Sequence, residues 1–235
     1  MRVLAFDTAT EYLSVCLYDS ESGILALERR DGPLRHGANL APVISGVLGR
    51  LEPKERTESL SQIDLVACVE GPGSFTGLRI GFATAKGLAA ASGNLPTVAI
   101  GSLEALARRR RTFDGIVLPL LDARKGRFYT ALFERGARLT EDEDLSAEEV
   151  LELLSGRYAL TTGFHSPLFR ERVPQDALDR LLPDPDATEP LAPELAKMAI
   201  EAFTKGMVME PGAGPRYVRR SDAEISREPG GAGSV

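Results

Sequence analysis

Apolar positions along the first thirty residues fall into three short stretches, 3–6 (VLAF), 13–19 (LSVCLYD) and 24–30 (ILALERR), separated by turn-prone Thr, Ser and Gly. Short runs of strand formers punctuated in this way predict a three-stranded antiparallel meander. From residue 39 the period changes. Leu40, Val43, Ile44, Val47 and Leu51 recur at spacings of three and four, which predicts a helix over 39–51 with Pro53 just past its end. Residues 63–70 (IDLVACVE) form a nearly continuous apolar run of strand length, as expected when helices cover both faces of a sheet. A glycine-rich turn, a helix over 75–91 and a strand over 97–100 follow. Ser102 can cap one more helix, and Arg108 to Arg111 suit its C-terminal end. Three strands followed by alternating helix and strand describe an α/β lobe over 1–105.

The second half begins the same way. Laying 3–19 over 118–134 (LPLLDARKGRFYTALFE) puts Asp7 on Asp122, Ser14 on Tyr129, Cys16 on Ala131 and Asp19 on Glu134. Both stretches read strand, acidic corner, strand, so the chain is expected to hold two duplicated lobes, 1–105 and 106–220. Within the second lobe Ser146-Ala147-Glu148-Glu149 is a capping-box start for a helix ending near Gly156. A later helix is expected from Pro193 to about Lys205, closing at Gly206. Residues 221–235, Gly-rich toward their end, read as a flexible tail.

Composition narrows the function. Lys plus Arg number 28 against 34 Asp plus Glu, a formal net charge of −6, the wrong sign for a chain that grips nucleic acid through its overall field. Any contact with nucleic acid must be local or supplied by a partner. The longest apolar run, 65–69, is far below the ~20 residues a membrane-spanning helix needs. The N-terminus lacks the regions of a signal peptide, so a cytoplasmic protein without a membrane partner is expected. Cys16 and Cys68 lie inside apolar runs and read as buried strand thiols. With His36 and His165 far apart, there is little material for a metal site.

The sharpest local signal is 71–81 (GPGSFTGLRIG), between an apolar strand and a helix. Such a turn could aim free amides at an anion, yet it matches neither the P-loop nor the dinucleotide spacing, so Gly71, Pro72, Gly73 and Gly77 read as a structural turn. After it Gly77, Gly81, Ala85 and Ala89 place small side chains at every fourth position, and helix 39–51 carries more apolar residues than one stripe needs. Either helix could be packing on its own sheet or offering a face to a partner. Asp7 and Asp122 end matching strands and could face each other across a cleft, but Ala9 stands where a phosphate-cradling glycine would be expected, so a solvent-exposed corner acid is the better reading. Ser74 and Ser102 lie in no nucleophile elbow, and His36 reads as a turn or helix-start residue. The run Arg108 to Arg111 and the group Arg216, Arg219 and Arg220 read as solvated faces able to touch phosphate in a complex.

Several stretches together, 6–10 (FDTAT), His36 with 40–44 (LAPVI), 71–89 (GPGSFTGLRIGFATAKGLA), 102–107 (SLEALA), 121–129 (LDARKGRFY) and 215–219 (PRYVR), resemble the bacterial TsaB (YeaZ) family over essentially the whole chain. The resemblance implies an actin-like ATPase fold, two lobes of ribonuclease-H-like topology. It also implies a non-catalytic scaffold without cofactor or metal, serving threonylcarbamoyl transfer to adenosine in tRNA. The implied partners are TsaD, on which the chain would dock, the ATPase TsaE in a larger complex, TsaC as supplier of the carbamoyl adenylate, and tRNA only indirectly. The catalytic relative TsaD carries a His-x-x-x-His metal pair where this chain has Ser102 and Leu106. Docking is then expected through Leu40, Val43, Ile44 and Val47 of the first helix and Leu78, Gly81, Phe82 and Ala85 of the second, a surface that could also pair two copies. The competing expectation is a stand-alone ATPase or peptidase-like hydrolase using the Asp7 and Asp122 corners.

Overall fold

The computed structural model describes residues 1–32, 36–51 and 60–218. The expectations at Pro53, at Arg219 and Arg220 and in the tail 221–235 fall outside the described residues.

The meander forms as expected: β1 (Arg2–Asp7), β2 (Leu13–Asp19) and β3 (Gly23–Arg30) are antiparallel, with Arg2 opposite Asp19 and Asp7 opposite Ser14. The buried runs β4 (Leu65–Gly71) and β5 (Thr97–Gly101) add in parallel to β1, giving the order β3-β2-β1-β4-β5. The second sheet is built from β6 (Ile116–Arg124), β7 (Arg127–Thr130), the small hairpin β8 (Phe133–Glu134) and β9 (Ala137–Arg138), then β10 (Glu143–Ser146), β11 (Ala159–Thr162) and β12 (Leu181–Pro183). Its order is β10-β7-β6-β11-β12, with the hairpin attached to β6. Setting that hairpin aside, each sheet runs third, second, first, fourth, fifth strand, so the duplication lies in the topology itself. Its residue-level alignment slips by one: Asp7 pairs with Ser14, but Asp122 pairs with Phe128 because β6 shifts register between Asp122 and Arg124. Strand β7 ends at Thr130, which leaves Ala131 and Glu134 outside it.

Among the described residues seven helices complete five layers: α1 (His36–Leu48), α2 (Phe75–Ala91), α3 (Ser102–Arg109), α4 (Ala147–Leu154), α5 (Ser166–Arg170), α6 (Gln175–Leu178) and α7 (Ala192–Thr204). Alternate side chains of β1 divide between two cores, as the period of two demands. Leu4 and Phe6 pack outward under α1 and α2, whereas Val3 and Ala5 pack inward. The inward layer is α3 and α7, held between the sheets by Leu103, Leu106, Leu195 and Ala199 against Val117, Leu121 and Phe133. Leu118, Leu120 and Phe128 cover the far face of the second sheet beneath α4 to α6.

Helix α7 comes from the second half of the chain but packs on β1, β2, β4 and β5. Its buried face is small, Ala192, Ala196, Ala199 and Ala202, which lets the helix lie close to the sheet. Ser102 does not cap α3. Gly101 holds the cap position, while Ser102 sits in the first turn and its hydroxyl donates to the Pro72 carbonyl at 2.6 Å. The Ser146 capping box forms in full, with Glu149 reaching back to the Ser146 amide at 2.7 Å.

Candidate functional site

The glycine-rich turn ties α2 to the corner between β1 and β2. Gly71 adopts φ +127° and is joined to Pro72 by a cis peptide. Ser74 caps α2, its hydroxyl accepting from Gly77 N–H at 3.2 Å while its own amide donates to the Ala9 carbonyl at 2.6 Å. A Cβ at Gly73 would stand 2.5 Å from that carbonyl oxygen, and one at Gly77 would overlap the Thr8 carbonyl. Close approach of backbone to backbone therefore explains glycine at both positions.

The same contact settles which way α2 faces. A Cβ on Gly81 lies 2.6 Å from Thr8 Oγ1, so the row of small residues faces the chain's own sheet. The eight side chains expected to dock a partner are correspondingly interior. Leu40, Val43, Ile44, Val47, Leu78, Phe82 and Ala85 are no more than 5% exposed, and Gly81 is buried with them. Apolar residues at helical spacing mark the face a helix buries, and here the protein's own sheet covers it. What α1 and α2 leave to solvent is the opposite side: Gly37, Ala38, Asn39, Ala41, Pro42 and Gly46 on α1, and Thr76, Arg79, Ala83, Gly87, Ala90 and Ala91 on α2. Between the helices runs a groove of about 380 Å³ lined by Ala41, Ile44, Ser45, Leu48, Thr84 and Leu88. A signal for this face was present in the sequence, because none of the 13 residues of α1 is Asp, Glu, Lys or Arg.

A second concavity, about 350 Å³, opens between the lobes and is lined by Glu11, Ser74, Thr76, Asp122, Lys125 and His165 among others. Asp7 does not line it. Its side chain is buried rather than solvent-exposed, Oδ1 accepting from Ala9 N–H at 2.8 Å, and burial pushes its pKa up to about 6 against the pull of Arg109. Asp122 does reach the cleft, and its carboxylate holds the Arg124 amide at 2.8 Å and the Arg124 guanidinium at 3.2 Å. The duplicated corners thus do not form a facing pair of acids. His165 Nε2 lies 3.1 Å from the Glu11 carboxylate, joining one lobe to the other. His36 opens α1 with its ring N–H donating to the Thr10 carbonyl at 2.5 Å. Burial pushes the Cys16 and Cys68 thiols up to about 12, so neither carries thiolate chemistry.

A family model described as TsaD: tRNA N6-adenosine threonylcarbamoyltransferase matches residues 34–158. The chain is also 31% identical, over 95% of its length and 96% of the relative's, to the tRNA threonylcarbamoyladenosine biosynthesis protein TsaB of Bacillus subtilis. The chain belongs to the TsaB (YeaZ) family. Its structure matches YeaZ from Pseudomonas aeruginosa with a TM-score of 0.73 at 28% identity, covering 92% of this chain and 100% of that one. It matches component A of (R)-2-hydroxyglutaryl-CoA dehydratase from Acidaminococcus fermentans with a TM-score of 0.53 at 12% identity, covering 87% and 99%. That likeness shows the fold alone, the actin-like arrangement of two duplicated sheets.

The basic residues are largely spoken for within the chain. Arg108 pairs with Glu201, Arg109 donates to the carbonyls of Glu189 at 3.1 Å and Pro190 at 2.7 Å, and Arg110 holds Asp184 and Asp186. Arg216, read from sequence as a solvated face, instead enters a group of carboxylates described below. Periodicity carries no trace of that placement, because its partners are remote in the chain.

Proposed function

We propose that this chain serves tRNA threonylcarbamoyladenosine biosynthesis as a non-catalytic subunit that docks on TsaD and supports its transfer reaction. The observation that carries the reading is the outward side of α1 and α2. An exposed α1 face of Gly, Ala and Pro with one Asn, and no charge anywhere along the helix, is unlike an ordinary solvated surface. Small side chains there let a partner's helices approach backbone to backbone, and the groove between α1 and α2 can take an apolar side chain. Residues 34–158, over which the chain resembles TsaD, include both helices, so the two proteins can present related faces to each other about a pseudo-twofold axis. The same face could pair two copies of this chain when TsaD is absent. TsaE and TsaC enter as the further members of the system, tRNA is reached through TsaD, and the setting is the cytoplasm. No described helix is long and apolar enough to cross a membrane. The stand-alone hydrolase reading needs Asp7 and Asp122 to face each other across the cleft, and Asp7 does not line it.

The test is reconstitution with cognate TsaC, TsaD and TsaE, ATP, threonine, bicarbonate and tRNA, scoring modified adenosine by mass spectrometry. Modification is expected to require this chain and to survive Asp7→Asn. Full modification in its absence would overturn the reading.

A further inference from the structure

After α7 the segment 207–218 runs along the first sheet and ends at the cleft. The Met209 amide donates to the Thr97 carbonyl of β5 at 2.7 Å, and Lys86 Nζ on α2 donates to the carbonyls of Pro211 at 2.8 Å and Ala213 at 2.6 Å. The Arg216 amide then donates to the Glu70 carbonyl at 2.9 Å. Tyr217 lies on Phe75 with ring centroids 4.7 Å apart, and its hydroxyl accepts from Arg79 Nε at 3.0 Å. The segment is therefore fastened to β5, α2 and β4 in turn.

The guanidinium of Arg216 meets three carboxylates carried by three parts of the fold: Glu70 of β4 at 3.3 Å, Glu104 of α3 at 3.4 Å, and Asp142 between β9 and β10 at 3.0 Å. From the other side Arg138 of β9 holds Glu104 at 2.6 Å and Asp142 at 2.7 Å. Two glycines make room for this arrangement. A Cβ on Gly71 would stand 2.5 Å from the Arg216 carbonyl oxygen, and one on Gly101 would overlap the Glu104 carboxylate and lie 2.9 Å from Arg216 Nη2. Glu70 belongs to the first sheet and Asp142 to the second-sheet side, so one side chain ties the lobes together. Removing it would leave Glu104 and Asp142 sharing the Arg138 guanidinium and would take from Glu70 its pairing with Arg216. The Arg216, Glu70 and Glu104 side chains are each about a third exposed, whereas Asp142 is 5% exposed, so dissolved salt screens the pairings with Glu70 and Glu104 more than the one with Asp142. Arg216, Tyr217 and Val218 also form part of the cleft wall.

We propose that segment 207–218 is a latch: through Arg216 it holds the two lobes in one setting and closes one wall of the cleft, and its release widens the cleft. Both native cysteines are buried, so spin labels can be placed selectively at Thr76→Cys and Lys125→Cys, which line the cleft from α2 and from the β6–β7 turn. Electron–electron distance measurements on the full chain are expected to give a narrow distribution at low salt. In 1 M NaCl, and at every salt concentration in Arg216→Ala, it should broaden and shift outward, with Arg216→Lys in between. An unchanged distribution in folded Arg216→Ala would overturn the latch. Should Arg216→Ala fail to fold, the salt series on the otherwise unaltered chain decides, and a salt-independent distribution overturns it equally.

Discussion

Asp7 ends β1 with its carboxyl inside the protein, where its Oδ1 is met by the Ala9 amide and the Arg109 charge acts from α3. Burial raises its folded pKa to about 6 from an ordinary 3.8. The sign of the stability effect follows from proton binding: between about pH 4 and pH 6 the folded chain keeps a proton that the unfolded chain has released, so this group's contribution weakens as pH rises. By neutral pH the penalty is on the order of 3 kcal/mol, and it is absent below about pH 4. Asp7→Asn keeps the acceptor for Ala9 and cannot ionise. The stability of Asp7→Asn minus that of the parent, from denaturant titrations at a series of pH values, is expected to grow by roughly that amount between pH 4 and pH 7. A flat difference would mean that the carboxyl titrates as an ordinary acid. The burial was not legible in the sequence, because a strand-end aspartate followed by Thr and Ala reads as a surface corner, and Arg109, whose charge acts on it, lies far along the chain.

Among the elements, those whose signals are local came through most faithfully. Helix α2 has the expected bounds, 75–91, because Ser74 caps its start and small residues continue to its end. Helix α4 follows its capping box, and the meander follows its alternation. Helix α1 begins at His36, three residues earlier than periodicity placed it, since Gly37 and Ala38 add nothing to an apolar stripe. Periodicity also revealed that α1 has an apolar face without revealing what meets it. That ambiguity yields a paired expectation on one helix. Leu40 is fully enclosed beneath α1, so Leu40→Ala should cost about 2–5 kcal/mol in denaturant unfolding. Its neighbour Ala41 is exposed, so Ala41→Glu should alter stability by no more than about 0.5 kcal/mol. On the proposed docking face, however, it would bury an unpaired carboxylate against the partner and weaken association with TsaD at least tenfold by calorimetry. Equal binding by Ala41→Glu and the parent would place the partner elsewhere. Gly81→Arg and Ala85→Glu, in contrast, should unfold the first lobe, because both positions face the sheet.

At the scale of the whole molecule, duplication and independence part company. Each sheet repeats the same strand order, yet the layer between them is shared: α3 follows β5 directly, whereas α7 returns from beyond β12 to cover β1, β2, β4 and β5. The small faces of α7 meet Val3, Ala5 and Cys16 on one sheet, and the same core reaches Val117, Leu121 and Phe133 on the other. A cut near residue 105, where the two halves of the sequence meet, would therefore strip the inner face of the first sheet and leave a broad apolar surface in water. Residues 1–110 alone are expected to bind a hydrophobic dye and to melt without a cooperative transition. Adding a peptide of residues 190–218, which carries both α7 and the segment fastened to β5 and Glu70, should restore cooperative unfolding and abolish dye binding. A sharp transition from 1–110 alone would show that the first sheet needs no helix from the second half. The return of α7 is a pairing between distant parts of the chain, and its own sequence, an amphipathic helix with alanines on the buried side, would suit either lobe. Only the assembled topology shows which sheet it covers, and hence why two lobes made from one repeated plan are expected to fold as one unit.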